Sequence, residues 1–291
     1  MRIVVCVKQV VDVTFPFEID PEKCEILPKD IFYVSNPADR CACEMAIQAR
    51  ERHGGEVIVI SVGPPGVCRT LRSYLAMGAD RAIHLQDREA QMDSFAVAYL
   101  LAKAIAPFSP DLILCGSRSA DQMSGEVPPV LAELLDLPQG TGVMAMDLDP
   151  GGRAVTVQRR LERGRRQTIL CPLPAVIAVD PGVVEPRYPS FPDLLAAHQA
   201  EIEELEIGDL GVDASILTGM ASRRRLVRWS LPRPRPKRGF SIDSGLSADQ
   251  RMELLMSGGL RQARTEILEG EPGQLARTLA DMLSQRLDLK G

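Results

Sequence analysis

Short runs of aliphatic and β-branched residues alternate with longer helical segments up to about residue 185. Most of the runs are continuously apolar, which indicates strands covered on both faces rather than strands with one face in water. The alternation predicts βαβ units and therefore an α/β fold with a doubly wound, mostly parallel sheet. The predicted strands are 2–7, 56–62, 81–85, 111–115, 154–159 and 167–170 or 175–179, and the predicted helices are 37–53, 65–77, 93–106 and 125–136.

The character of the sequence changes at about residue 186. The stretch 223–238 holds eight basic residues and three prolines, so neither a helix nor an interior strand is expected there. Apolar periodicity is too weak for a second compact core. We therefore predict an α/β nucleotide-binding domain over 1–185 and an extended C-terminal arm over 186–291, which lies on the body or on a partner chain. Helices are predicted within this arm at 193–206, 247–256 and 271–287.

Composition excludes several classes of function. Lys and Arg number 34 against 39 Asp and Glu, and this net charge of −5 argues against a dedicated nucleic-acid binder. The seven cysteines include no CxxC pair, which disfavours a zinc knuckle or a thioredoxin-like site. Their odd number indicates reduced thiols, and no apolar run reaches the ~20 residues of a membrane span. A cytoplasmic protein without a membrane span is expected.

Common catalytic motifs do not occur in the sequence. GxSxG, HExxH and GxxxxGK[ST] are all absent, and the histidines at 53, 84 and 198 are isolated from one another. His84 falls in a predicted strand and is interpreted as a core or edge residue rather than as a base. No catalytic residue and no metal ligand is assigned. Whether the chain is an enzyme stays open, and any reaction it supports would be performed by a cofactor.

Two predicted strands end in glycine-rich loops. One loop is SVGPPG at 61–66, and the other is CGSRSADQMSG at 115–125, which leads into a helix. Ligands of doubly wound sheets bind at the carboxyl ends of the strands, where loop N–H groups and helix N-termini attract phosphate. The second loop adds serines and Arg118 as donors. A Rossmann-like, adenine-nucleotide-binding sheet is therefore one interpretation, and a polar loop that binds nothing is the other.

Several motifs in order make a family resemblance specific. They are VCVKQVVD at 5–12, NP at 36–37, AMGADRA at 76–82, LPQG at 137–140, LPAV at 173–176, EPRYPSFP at 185–192 and ILEGEP at 267–272. In these motifs the chain resembles the β subunit of electron transfer flavoproteins from residue 1 to about 212, and again near its end.

The resemblance implies an αβ heterodimer that passes electrons between flavin-containing dehydrogenases, or NADH, and an acceptor. The reactive FAD would be shared with the α subunit, and the β site would hold AMP or, in an electron-bifurcating member, a second FAD. Asn36 could instead be an ordinary helix cap, and Asp121 could merely cap its helix. The residues that match the family's nucleotide-binding loops are Cys6, Asn36, Pro37, Ala38, Asp39, Val62, Gly116, Ser117, Arg118, Ser119, Ala120, Asp121, Gln122, Met123, Ser124, Gly125, Glu126 and Val127.

The loop 187–196 resembles the segment by which family members dock dehydrogenases. Phe191 stands at the anchor position, and the prolines around it lower the cost of ordering the loop on binding. The alternative is that Phe191 packs onto the protein's own body. The residues predicted to dock the partner are Arg187, Tyr188, Phe191, Pro192, Leu194 and Leu195.

Some positions depart from the family pattern. Residues 161–167 are basic where the family has an acidic hairpin, and 198–201 (HQAE) replaces a lysine cluster, which together indicate a non-standard dehydrogenase. Val127, followed by Pro128 and Pro129, replaces a threonine that would donate to the AMP phosphate. This pattern favours a second FAD and NADH oxidation. Val13 counts against a second FAD, because it stands where ordinary members often place a tyrosine near the flavin. Residues 239–262 resemble an insertion.

Two other functions compete with an electron-transfer subunit. A stand-alone nucleotide-binding module of the universal-stress type would share the sheet but would end near residue 180. A nicotinamide-dependent enzyme is disfavoured because no GxGxxG with a downstream acidic residue follows a strand.

Overall fold

The computed structural model describes residues 1–23, 25–27, 29, 31–87, 92–149, 151–212, 245–256 and 270–288. The chain divides into two compact units, Met1–Leu231 and Pro232–Gly291. Among its described residues the second unit has two helices, α6 (Ala248–Met256) and α7 (Pro272–Asp288), close to the predicted 247–256 and 271–287. The basic stretch 223–238 lies outside the described residues, and the predicted course of the arm across a partner stays a prediction.

The first unit is built on a nine-stranded sheet, which confirms the predicted α/β fold with a mostly parallel sheet. The strand order is β11-β5-β4-β1-β6-β10-β7-β8-β9, in which the pairs β7–β8 and β8–β9 are antiparallel and all other neighbouring pairs are parallel. The strands are β1 (Arg2–Cys6), β4 (Glu56–Gly63), β5 (Arg81–Gln86), β6 (Leu112–Gly116), β7 (Gln139–Leu148), β8 (Ala154–Arg160), β9 (Arg166–Pro172), β10 (Ala175–Val179) and β11 (Glu203–Glu206). A separate antiparallel pair consists of β2 (Gln9–Val11) and β3 (Tyr33–Ser35).

Helices cover both faces of the central strands, as the continuously apolar runs predict. The helices of the first unit are α1 (Pro37–His53), α2 (Val67–Met77), α3 (Ser94–Ile105), α4 (Val127–Leu134) and α5 (Phe191–Gln199). Side chains of α1 and α2 pack on one face of the sheet, and those of α3 and α4 pack on the other. Ile3, Val4 and Val5 of β1 are completely buried between these layers.

The topology places a crevice next to β1. After β1 the chain builds β4 and β5 on one side, and it then crosses through α3 to add β6 on the other side. Helices that leave neighbouring strands toward opposite faces open a gap at the carboxyl ends of those strands. The ends of β1, β4 and β6 meet at this gap, which fixes where a ligand can bind.

Several predicted elements need correction. The alternatives 167–170 and 175–179 are both strands, β9 and β10, and β7, whose apolar pattern is interrupted by Gly140 and Gly142, was not predicted. The acidic helix predicted over 193–206 is wrong in its second half. α5 ends at Gln199, and EELE at 203–206 is β11, which pairs with β5 at the sheet edge, where exposed acidic side chains are tolerated.

Of the helices in the described ranges, none combines the length and the apolar character that a bilayer crossing needs.

Candidate functional site

A cavity of about 330 Å³ opens at the carboxyl ends of β1, β4 and β6, and we call it the strand-end cavity. Its size falls at the lower end of the range of small-molecule sites, about 300–1,000 Å³. The predicted site residues that line it are Cys6, Asn36, Asp39, Val62, Gly116, Arg118, Ser119, Asp121, Gln122, Ser124, Gly125, Glu126 and Val127. The structure therefore brings together side chains from four separate segments.

The remaining predicted residues do not line the cavity. Pro37 and Ala38 lie in the first turn of α1, and Ala38 is buried beneath Gly116. The Ser117 hydroxyl is buried and has no hydrogen-bond partner among the described residues, and Met123 is largely exposed with a positive φ of 56°. Ala120 contributes its backbone N–H, which donates to Asn36 Oδ1 at 3.1 Å. These five residues belong to the segments that form the cavity but do not line it.

Asp39 ties three segments together beneath the cavity. Its Oδ1 accepts hydrogen bonds from the Gly116 amide at 3.0 Å and from Asn36 Nδ2 at 2.9 Å, and its Oδ2 accepts one from the Lys8 amide at 2.7 Å. Burial raises the pKa of Asp39 to about 7, although these hydrogen bonds act in the opposite direction. The carboxyl group thus holds the ends of β1 and β6 against the start of α1.

Asn36 holds the long loop after β6. It occupies the N-cap position of α1, but its side chain makes no cap hydrogen bond. Instead its Nδ2 donates to the Arg118 carbonyl at 3.2 Å and to Asp39, while its Oδ1 accepts from the Ala120 amide. Of the two interpretations of Asn36, the structure therefore favours organisation of the cavity over ordinary capping.

A glycine is required at position 116 because neighbouring atoms approach its Cα closely, and not because of its backbone conformation. A Cβ atom at this position would lie 2.1 Å from Asp39 Oδ1 and 2.8 Å from the Cβ of Ala38. Both distances are far below van der Waals contact, so any side chain would push β6 away from α1. The first glycine of the CGSRSADQMSG loop is thus dictated by the Asp39 hydrogen bonds.

The cavity has a polar side and an apolar side. Arg118, Ser119, Gln122 and Ser124 supply donors on the loop after β6, whereas Val62, Met92, Val97 and Leu101 supply apolar surface. An adenine nucleotide needs an apolar slot for its base and donors for its ribose and phosphates. The donor set and the size of the cavity both fit an adenine nucleotide.

A cation and a carboxylate pair at the cavity rim. Lys8 Nζ lies 2.8 Å from Asp121 Oδ2, and both side chains line the cavity. Although partial burial opposes the shift, hydrogen bonds from Lys8 and Ser119 lower the pKa of Asp121. Asp121 does not cap α4, whose N-cap residue is Glu126. Lys8 was not predicted as a site residue, although it directly follows the first strand motif.

Residues 187–196, which we call the docking loop after their predicted role, present apolar side chains on a capped helix. The Ser190 side chain caps α5 in a capping box with Asp193, and Pro192 lies in the first turn. Phe191 is 77% exposed and Tyr188 is 95% exposed, while Leu194 and Leu195 are about half exposed. Within the part of the chain that the structure describes, Phe191 therefore does not pack onto the protein's own body.

Arg187 anchors this loop to α1. Its guanidinium lies 2.9 Å from Glu44 Oε2 and 2.6 Å from Glu51 Oε1. Glu44 is almost fully buried, with 4% of its side chain exposed, so Arg187 supplies its counter-charge. The hydrogen bonds that Arg187 donates to Glu51 and Glu44 raise its pKa. A direct contact of Arg187 with a partner stays a prediction.

A second cavity, of about 770 Å³, lies beside the docking loop. The β2–β3 strands and the loop before α2 line it, together with Pro189 and Leu194. Next to it the protein exposes a group of apolar side chains, which we call the apolar hairpin: Val13, Phe15, Phe17, Phe32, Tyr33 and Val34. This surface was not predicted, although four aromatic residues within 15–33 could have indicated it.

Comparison with known proteins gives consistent matches over most of the chain. Residues 32–210 match the electron transfer flavoprotein domain. The chain is 36% identical over 252 residues to Protein FixA of Sinorhizobium fredii, covering 84% of this chain and 88% of that protein. It is 38% identical over 234 residues to the electron transfer flavoprotein subunit beta of Thermoanaerobacterium thermosaccharolyticum, covering 80% and 88% respectively. It is 35% identical over 217 residues to the subunit of the same name from Mus musculus, covering 73% and 84%.

Proposed function

The chain belongs to the electron transfer flavoprotein β-subunit family, and from this premise we propose that it pairs with an α subunit and holds an adenine nucleotide in the strand-end cavity. The observation that carries the proposal is the set of three hydrogen bonds that the Asp39 carboxylate accepts. They join three segments around one cavity of nucleotide size. The heterodimer would pass electrons between flavin-containing dehydrogenases, or NADH, and an acceptor.

The lining of the cavity supports one orientation of the nucleotide. The adenine would lie against Val62, Val97 and Leu101, and the phosphates would face Arg118 and the hydroxyls of Ser119 and Ser124. Charge-assisted hydrogen bonds from Arg to phosphate are among the strongest available, so Arg118 would contribute most to the affinity. Lys8, which pairs with Asp121, would stabilise the loop that carries these donors.

The start of α4 bears on which nucleotide is bound. Pro128 follows Val127 in the first turn, and neither this proline nor Pro129 has an N–H to offer. A terminal phosphate at this helix start would therefore lack its usual partners. We propose that a dinucleotide continues past the loop, so that the β site holds the adenosine half of a second FAD and the complex oxidises NADH.

The α subunit would cover the apolar hairpin and the second cavity beside it. A cluster of exposed aromatic and aliphatic side chains of this kind usually marks an interaction surface. Phe15 and Phe32 pack against each other with ring centroids 5.2 Å apart and the rings tilted by 41°, which supports the hairpin as a formed surface. The reactive FAD, which supplies the redox chemistry when bound, would be shared across this contact. The isolated chain is therefore expected to bind no flavin tightly.

The docking loop would bind the dehydrogenase. Phe191, Leu194 and Leu195 project from α5, and Arg187 fixes the start of the loop through Glu44. An anchor held on a capped helix loses little conformational entropy on binding.

Co-expression with the α subunit tests the proposal. A yellow complex with one copy of each chain, together with a nearly flavin-free isolated β chain, is expected. A colourless, stable homodimer that ignores the α subunit would contradict the proposal and would favour the stand-alone module. Arg118→Met should lower the nucleotide retained by the complex, whereas Arg52→Met, which is on α1 and lines neither cavity, should not.

A further inference from the structure

Three side chains with metal-binding atoms meet outside the strand-end cavity. Cys68 lies in the first turn of α2, His84 lies in β5 and Glu204 lies in β11. Their sulfur, ring-nitrogen and carboxylate-oxygen atoms all lie within 4.8 Å of one another. None of the three lines the strand-end cavity, so the proposed function does not account for the cluster.

The sheet register puts two of these residues side by side. β11 runs parallel to β5 with Glu204 directly opposite His84. Residues paired across neighbouring strands project to the same face of a sheet. Leu205, the next residue, packs on the opposite face with α3. Glu204 and His84 therefore point to the face that α2 covers, and α2 brings Cys68 onto them.

The hydrogen bonds of His84 fix which ring nitrogen is available. Nε2 lies 2.8 Å from the Gly63 carbonyl oxygen, which can only accept, so Nε2 carries the proton. Nδ1 of the neutral ring then has a lone pair, and it lies 3.4 Å from Cys68 Sγ. Metal-bound histidines commonly donate their other N–H to a backbone carbonyl in this way. The ring is 1% exposed and is held in place by its packing.

We propose that Cys68, His84 and Glu204 form a Zn²⁺ site. Thiolate, imidazole and carboxylate are the three ligand types that zinc takes, whereas Mg²⁺ and Ca²⁺ prefer oxygen alone. Zinc bond lengths and tetrahedral angles require a sulfur-to-nitrogen separation of about 3.6 Å, close to the 3.4 Å in the structure. Glu204 is exposed and needs to move its carboxylate by about 1 Å. The thiol proton passes to solvent when the metal binds, and water fills the fourth position.

The site would connect the sheet edge to the wall of the strand-end cavity. Zn²⁺ would join β11 to the first turn of α2, and His84 holds the carbonyl of Gly63, which lines the cavity. Ions that bind only the folded state stabilise it. Zn²⁺ should therefore raise the melting temperature, and this effect does not depend on the electron-transfer role.

The test uses the full chain, stripped with a chelator and titrated with Zn²⁺ or with Co²⁺ as a spectroscopic probe. One tight equivalent is expected, with a sulfur-to-cobalt charge-transfer band. Cys68→Ala should weaken binding at least about 100-fold and abolish the band, and Glu204→Gln should weaken binding about tenfold. Cys171→Ala and Glu206→Gln are controls, because each removes the same chemical group elsewhere in the chain, and they should bind like the unaltered protein.

Loss of affinity in both site variants, with a rise in melting temperature that is smaller in them than in the unaltered chain and the controls, supports the site. Absence of a tight equivalent in the unaltered chain would overturn it. So would binding that survives Cys68→Ala, or binding that Glu204→Gln and Glu206→Gln affect equally.

Discussion

Oδ1 of Asp39 lies 3.0 Å from the amide nitrogen of Gly116, although the two residues are 77 positions apart in the chain. The contact joins the first turn of α1 to the end of β6, and it leaves no room for a side chain at residue 116. The shape of the strand-end cavity therefore depends on a carboxylate and a missing Cβ. Each can be changed separately.

Gly116→Ala is expected to abolish nucleotide retention in the strand-end cavity of the complex. The new Cβ would lie 2.1 Å from Asp39 Oδ1, so β6 must shift and the three hydrogen bonds to Asp39 must weaken. Strain of this kind typically costs about 1–3 kcal/mol of folding stability. Nucleotide released by denaturation of the purified complex is the measurement. Gly208→Ala is the control, since its Cβ would meet open space. Equal nucleotide content in both variants would contradict the close-approach argument.

Asp39→Asn should reveal the raised pKa of Asp39. Because it is buried, the Asp39 carboxyl has a folded-state pKa of about 7, against 3.8 ordinarily. Its contribution to folding stability is therefore fully present below pH 3.8 and is lost as pH rises through 7. The asparagine variant lacks this titration. The difference in unfolding free energy between the two proteins should therefore shrink from pH 5 to pH 8, as measured by denaturant melts. A difference that grows with pH would show that the three donors keep Asp39 ionised.

Arg187→Met is expected to loosen the docking loop and to destabilise the fold by about 1–2 kcal/mol at pH 7. Although burial acts against it, the Arg187 hydrogen bonds lower the pKa of Glu44. Stability from a lowered carboxylate pKa is present above pH 4.5 and is lost as pH falls through the folded-state pKa. The deficit of the variant should therefore decrease below pH 4.5. Lys29→Met, which removes the exposed pair with Glu18, should change stability by less than about 0.5 kcal/mol. A deficit that persists at low pH would contradict this role.

Phe191→Ala should weaken reduction of the complex by its dehydrogenase. An anchor of this kind contributes about 2 kcal/mol or more, so the apparent KM should rise at least about tenfold while the flavin spectrum stays unchanged. Leu170→Ala is the control, because Leu170 is comparably exposed but lies on β9. Unaltered kinetics with Phe191→Ala would remove this residue from the interface.

Anaerobic addition of NADH should bleach the flavin absorbance of the complex, and the complex should contain two FAD per heterodimer. The physical reason is the helix start at Val127, Pro128 and Pro129, which offers few N–H groups to a terminal phosphate. One FAD and one AMP, without reduction by NADH, would contradict the second flavin. That result would still agree with an adenine nucleotide in the strand-end cavity.

Much of the fold follows from local patterns in the sequence. Strands buried on both faces are continuously apolar, and for this reason β1, β4, β5 and β6 are predicted within a residue or two. β11 could not be predicted in this way, because EELE is polar and becomes a strand only through its pairing with β5. β7, where the antiparallel end of the sheet begins, likewise becomes a strand through pairing with its neighbours, since Gly140 and Gly142 interrupt its apolar pattern.

The candidate site was predictable where it follows a strand end. The glycine-rich loop after β6 could be recognised from strand, glycine and donors in order. The role of Asp39 as a hydrogen-bond hub depends on Lys8, Asn36 and Gly116, which come together only in the fold. The apolar side of the cavity, with Met92 and Val97 from the region of α3, was missed for the same reason. So was the Cys68–His84–Glu204 cluster, whose members are isolated in sequence.

The most direct test of the central proposal is the number of adenine nucleotides in the purified αβ complex, counted by mass spectrometry after denaturation. Two adenine nucleotides per heterodimer are expected, one in the shared flavin site and one in the strand-end cavity. The Gly116→Ala complex should retain only the shared one. A single adenine nucleotide in the unaltered complex, or two in the Gly116→Ala complex, would contradict a nucleotide site in this cavity.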